Sequence, residues 1–311
     1  MKSEDNLNIN YTYYNNTNNS NKKRITFRNK RVITYFLNIC IILYVVNETG
    51  NSKIISKSSS IHIKINSKGT HFIYGKTPCQ TNSFIKPDKI VINGEEKYPF
   101  SYSSNFQYEN NNITLTWEKE INSTACLFSG CKNISSVDFS DFNSSKIRFI
   151  HGMFLNCFSL TSINFASFNT SQVNDTHNLF SYCKKTQNTD LSNFETSKVV
   201  DMSNMFANCI ELSSLNLSSF FTPKLKRMYL MFSGCRSLSI LDMSNFDTSQ
   251  VTKMYYMFQN CISLTKINLS NFNTSKLDNI AYMFYNCTNL KIVDLSNFDF
   301  TKITNSSNIF C

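Results

Sequence analysis

The sequence predicts an α/β solenoid, a stack of 26-residue coils with one short parallel strand and one short helix in each. Three observations predict it. Cys131, Cys157, Cys183, Cys209, Cys235, Cys261 and Cys287 recur at an unbroken interval of 26 residues, and a fixed period of roughly 20 to 50 residues marks units that bury their apolar faces on their neighbours. Six and eight places after the cysteines stand apolar residues such as Leu241 and Met243, Thr189 being the exception at the sixth place, which is the two-residue period of a strand. Farther along each unit, apolar residues such as Val251, Met254, Met257 and Phe258 are spaced by three and four, the spacing of helical turns.

The segments justify themselves in order. Residues 1–31 are polar and then basic, with Lys22, Lys23, Arg24, Arg28, Lys30 and Arg31, and read as disordered. The apolar run 32–46 follows directly. Charge before an apolar run is the layout of a targeting segment, although the run is short of the roughly 20 residues that span a bilayer as a helix. It reads as a signal peptide cleaved after about Val46, or as a signal anchor that leaves residues 1–31 in the cytoplasm. The expected location is therefore the cell surface or the exterior, including a single-pass type II membrane protein associated through residues 32–46. An intracellular chain that buries this run is the alternative.

Residues 47–84 form a linker with short strands, signalled by the alternation Ser60-Ile61-His62-Ile63-Lys64-Ile65. Residues 85–125 form an N-terminal cap, which a stack needs because its end exposes an apolar cross-section. In the cap, Asn93-Gly94 is a turn signal, and Ile113, Leu115 and Trp117 fall on one side of a strand. The solenoid occupies 126–311.

Within each coil, phenylalanine stands eleven places after the cysteine, at 142, 168, 194, 220, 246, 272 and 298, and reads as core. Thr-Ser pairs such as Thr274-Ser275 precede the second half and read as helix caps, Ser275 having capping-box spacing to Asp278. Thr186 and Thr189 make the coil after Cys183 the expected soft spot. The cysteines read mostly as free buried thiols, because identical positions point the same way and seven cannot all pair. A linear ladder does not wrap four ligands around one ion, so no metal and no cofactor are expected.

The net charge is +10, but residues 1–117 hold 15 basic and 7 acidic residues against 16 and 14 in the remainder. The nearly neutral repeats offer no nucleic-acid groove. His62, His71, His151 and His177 lack an accompanying nucleophile and carboxylate orienter, and only seven glycines occur, so the chain reads as non-enzymatic.

Residues five, seven and nine places after each cysteine face outward from the strand. The seventh place alternates as Asp138, Asn164, Asp190, Asn216, Asp242, Asn268 and Asp294, which relieves the repulsion of a pure aspartate ladder. The fifth place varies more and includes Ile240, Lys266 and Ile292. These ten residues are the candidate stripe for a protein or glycan partner; spacing and hydrogen bonding between coils is its structural reading. Asn-x-Ser/Thr triplets at Asn47, Asn112, Asn122, Asn143, Asn169, Asn216, Asn268, Asn273 and Asn305 are glycosylation acceptors in an exported chain. Nothing in the sequence sets an oligomeric state.

The unit C-x-S-L-T-x-I-N-L-S-N-F-N-T-S-x-L-x-x-I-x-x-M-F-x-x-C resembles the BspA-like leucine-rich repeat of surface proteins, with its lipoprotein-related repeats. The resemblance covers about residues 126–311 and is clearest at Ser244–Ser249, Met257-Phe258 and Ser270–Ser275. It implies a leucine-rich-repeat-like, right-handed stack, surface exposure, and adhesion to or interaction with a host or extracellular protein. Cys40 lacks the small-residue context of a lipid-attachment box, so lipid anchoring is not implied. The expected function is a non-enzymatic surface or secreted interaction or adhesion module. An intracellular interaction scaffold or a structural spacer is the alternative.

Overall fold

The computed structural model describes residues 58–75, 86–98 and 101–310. The polar segment 1–31 and the apolar run 32–46 lie outside the described residues. Among the described residues no helix is long and apolar enough to cross a membrane. The single-pass membrane anchor expected through residues 32–46 is withdrawn, because no helix among the described residues could form it.

Six strands precede the repeats: β1 (Ser59–Ile65), β2 (Gly69–Phe72), β3 (Lys89–Ile92), β4 (Glu95–Glu96), β5 (Ser103–Phe106) and β6 (Asn111–Trp117). The repeats contribute β7 (Ile134–Asp138), β8 (Ser162–Asn164), β9 (Ile240–Asp242), β10 (Lys266–Asn268) and β11 (Ile292–Val293). The largest sheet has the order β4-β3-β6-β1-β7-β8, while β11-β10-β9 and β2-β5 form two smaller sheets. Strand β1, in the span read as linker, lies between β6 and β7 and is antiparallel to both. Its alternation buries Ile61, Ile63 and Ile65, as that of β6 buries Ile113, Leu115 and Trp117. Trp117 meets Phe142 edge-on at 6.0 Å, so the N-terminal sheet covers the apolar end of the first unit.

The expected α/β, leucine-rich-repeat-like solenoid does not form. The described residues are all-β, with mixed antiparallel and parallel sheets and no helix. The reason is backbone handedness. Asn156, Tyr182, Asn208, Asn260 and Asn286, each directly before a cysteine, have φ between 58° and 62°. A second left-handed residue stands five places before the cysteine, at Asn178, Asn204, Leu230, Tyr256 and Tyr282. A left-handed residue interrupts a right-handed helix, and two per unit leave no room for one.

Turns replace it. Met153 N donates to Ile150 O at 3.2 Å, Leu155 N to Gly152 O at 3.0 Å, and Cys157 N to Phe154 O at 3.0 Å, each reaching three residues back. The intervening amides cross to the next unit: Gly152 N to His177 O at 2.8 Å, Phe154 N to Leu179 O at 3.0 Å, Asn156 N to Ser181 O at 2.9 Å. The three-and-four spacing is that of consecutive turns. The side expected to be helical also carries parallel bridges through Phe149, Asp175, Asp201, Arg227, Lys253 and Asn279. Extended chain on both sides repeats at about 4.8 Å, so no wider helical side exists to drive a solenoid curl.

The hydroxyls read as helix caps instead join neighbouring units. Thr222, fully buried, accepts from Asp247 N at 2.9 Å and donates to Asp247 O at 3.1 Å. Thr196 does the same with Phe221, at 2.9 Å both ways. The repeat cysteines are free thiols. Cys157, Cys183, Cys209, Cys235 and Cys261 donate to the carbonyls of Phe128, Phe154, Phe180, Phe206 and Phe232 at 3.1–3.2 Å. Cys126, off the repeat register, is disulfide-bonded. Strand pairing lapses at 188–190 and 214–216 between β8 and β9, although Thr186 is satisfied by Leu160 O at 2.8 Å.

Tyr182 holds a left-handed backbone, φ 62°, where the neighbouring units have asparagine. Such a conformation costs an ordinary residue about 1–2 kcal/mol, and asparagine tolerates it better. Tyr182→Asn is expected to raise stability by about 1 kcal/mol, read as a higher urea midpoint. A lowered midpoint would contradict the strain argument.

Candidate functional site

The stacked units expose two periodic faces. On the strand face, all seven predicted Asp/Asn side chains are occupied by turns. Each Oδ1 accepts the N–H two residues on: Ser140 to Asp138, Ala166 to Asn164, Ser192 to Asp190, Ser218 to Asn216, Ser244 to Asp242, Ser270 to Asn268 and Ser296 to Asp294, at 2.9–3.1 Å. These are Asx turns. Hydrogen bonds from Ser192, Ser244 and Ser296 hold the Asp190, Asp242 and Asp294 carboxyls below their ordinary value. Asn164 Nδ2 also donates across units to Asp138 Oδ1 at 2.9 Å.

At the fifth place Ser214 donates across units to Asn188 Oδ1 at 2.8 Å, while Ile240 and Ile292 have apolar side chains that no turn engages. Lys266 pairs in register with Ile240 on one side and Ile292 on the other. The two isoleucines are 70% and 73% exposed. The structure thus brings Ile240, Lys266 and Ile292 into one row.

The opposite face was missed by sequence reasoning. Along its bridges, Ile150, Thr176, Met202, Met228 and Met254 point inward and are buried. The residues flanking them follow the same register, which sets Asp175 and His177 beside Phe149 and His151, and Arg227 and Tyr229 beside Asp201 and Ser203; of these, His151, Asp201 and Ser203 are buried. Arg227 Nε donates to Asp201 Oδ2 at 2.7 Å, and Tyr229 stacks on Tyr255 at 4.6 Å.

His151 and His177 stack at 4.6 Å with their rings 6° from parallel. His177 Nδ1 lies 2.7 Å from Asp175 Oδ1, and His151 Nδ1 lies 3.5 Å from Asp175 Oδ2. Burial pushes the His151 imidazole down, against the pull of Asp175. The hydrogen bond to Asp175 raises His177. Burial works to raise the Asp175 carboxyl, but hydrogen bonds from the His177 ring and backbone outweigh it and hold the group low. Two histidines one unit apart, with an aspartate two places before the second, were the available sequence signal.

These features define a β-repeat protein of stacked 26-residue units with two periodic outer faces. The family described as "Mycoplasma protein of unknown function, DUF285" matches residues 97–216, 156–242 and 212–311, and the chain belongs to that family. The resemblance to the BspA-like leucine-rich repeat is corrected accordingly: the motifs that carried it build Asx turns and hydroxyl bridges here, without a helix. No curated protein and no solved structure matches the chain.

Proposed function

We propose that this chain is a non-enzymatic protein-binding module whose contact surface is the strand face across β9, β10 and β11. The supporting observation is the row Ile240–Lys266–Ile292. It is apolar and cationic on a face whose carboxylates and amides are otherwise held in turns. Exposed apolar side chains beside a charge match a protein surface with an apolar centre and an acidic rim. Burying one such isoleucine in an interface is worth about 1.5–3 kcal/mol.

Ile240→Ser/Ile292→Ser is expected to weaken capture of a specific protein partner at least tenfold, while Lys226→Ala, on the turn-rich side, leaves it unchanged. Quantitative mass spectrometry of proteins retained by the three immobilised chains makes the comparison. Equal retention by the parent and the double-serine chain sinks the reading and leaves a structural spacer in its place.

A further inference from the structure

We propose that His151, Asp175 and His177 form a binding site for one transition-metal dication of the Zn2+ class, held by two imidazole nitrogens and one carboxylate oxygen. This site lies on the bridge-ladder face and is independent of the proposed protein-binding row.

The three side chains offer ligand atoms that all lie within 4.8 Å of one another. Their backbone is fixed by the ladder, since Phe149 pairs with Asp175 and Asp175 with Asp201. Asp175 is oriented by its own turn: Oδ1 accepts the His177 N–H at 3.1 Å and meets His177 Nδ1 at 2.7 Å. That leaves Oδ2 directed at His151.

A second observation points to a ligand. His151 is only 7% exposed, and its Nδ1 has no hydrogen-bond partner. Buried polar atoms are rarely left so. The unpartnered nitrogen faces Oδ2 at 3.5 Å, too long for a good hydrogen bond. An ion between them would satisfy both atoms.

The adjustment required is small. Two donors bound to one zinc at about 2.1 Å each lie at most about 4.2 Å apart, so the widest separation must close by well under about 1 Å. His177, the more exposed of the two rings, is the one able to turn out of the stack so that both nitrogen lone pairs converge. The donor set favours zinc, copper, nickel or cobalt over calcium and magnesium, which take oxygen ligands. Asp201 is already paired with Arg227 and is not counted as a ligand.

The corresponding places in later units hold Tyr229 and Tyr255 but also Ser203 and Ala281, and these last two show that a small side chain is compatible with the ladder. The full chain is titrated with Zn2+ alone by calorimetry at pH 7.5. One ion per chain is expected. His151→Ala, His177→Ala and Asp175→Asn should each weaken binding at least tenfold, and His62→Gln/His71→Gln should leave it unchanged. The proposal is overturned if a folded His151→Ala/His177→Ala chain binds Zn2+ as tightly as the parent, or if the parent binds none. A measurement that needs no variant is Co2+ loading of the parent chain, where paramagnetically shifted imidazole N–H resonances report histidine ligation. Their absence at saturation overturns the proposal equally.

Discussion

Replacing Phe206 with alanine lowers the stability of the stack by about 3–5 kcal/mol, the range for deleting a buried aromatic side chain. Phe206 is 1% exposed. Its ring lies between Phe180 at 5.4 Å and Phe232 at 5.5 Å, nearly parallel to both. The same column runs from Phe128 through Phe154 to Phe258 and Phe284, so each ring closes the apolar surface of the unit before it. The backbone bonds at Phe206, from its N–H to Met231 O and from Cys209 N and Cys235 Sγ to its carbonyl, do not depend on the ring and should survive. The loss is therefore transfer plus cavity. Because each unit touches only its neighbours, a hole in the middle of the array weakens two interfaces. Phe310, 50% exposed at the end of the column, should cost much less as alanine. Urea unfolding of the two variants decides the matter: differences from the parent within about 1 kcal/mol of each other would show that the column is not a cooperative core.

How much of this was legible in the sequence depends on which property each position expresses. The period was legible because every unit repeats the same buried cysteine and phenylalanine, and burial of those types is a local habit. The helix was misread because spacings of three arise equally from a helix and from successive turns that bond three residues back. Asparagine or glycine directly before every repeat cysteine except Cys183, as at Asn156 and Gly234, was the discriminating signal, since these residues favour positive φ. At the second left-handed position the signal is hidden, because Leu230, Tyr256 and Tyr282 adopt φ of 56–57° there without a residue type that announces it. The Asp/Asn alternation was visible on the strand face; its use as an Asx turn was not separated from a binding role. The ladder face is the least legible. Phe149, Asp175, Asp201, Arg227 and Lys253 hold no single residue type in common, and only the bridges between them show that they form one row. The His151–His177 spacing could be read, but not the carboxylate that Asp175 turns toward both rings.

Raising the pH from 8 to 11 is expected to remove much of the stability of the stack through its thiols. Burial pushes the Cys209 thiol up to about 12 and the half-buried Cys287 up to about 11. It also drives Cys131, Cys183, Cys235 and Cys261 well above the ordinary value of 9.0. A raised pKa means that the folded chain holds these protons after the unfolded chain has released them. Stability from this source is thus complete below about pH 9 and falls as pH rises toward the folded values. One pKa unit corresponds to about 1.4 kcal/mol, so Cys209 alone accounts for a loss on the order of 4 kcal/mol by about pH 12. The structural cause is specific. Each repeat thiol from Cys157 onward donates to a phenylalanine carbonyl, as Cys209 does to Phe180 O at 3.1 Å, and a thiolate there would set negative charge against carbonyl lone pairs in a buried site. Urea midpoints at pH 8, 9.5 and 11 measure the loss. Cys209→Ala should be somewhat less stable than the parent at pH 8, having lost that bond, yet should fall less steeply between pH 8 and 11, because one proton fewer is linked to folding. Parallel pH profiles for the two chains would show that the buried thiol ladder is not what sets the alkaline limit.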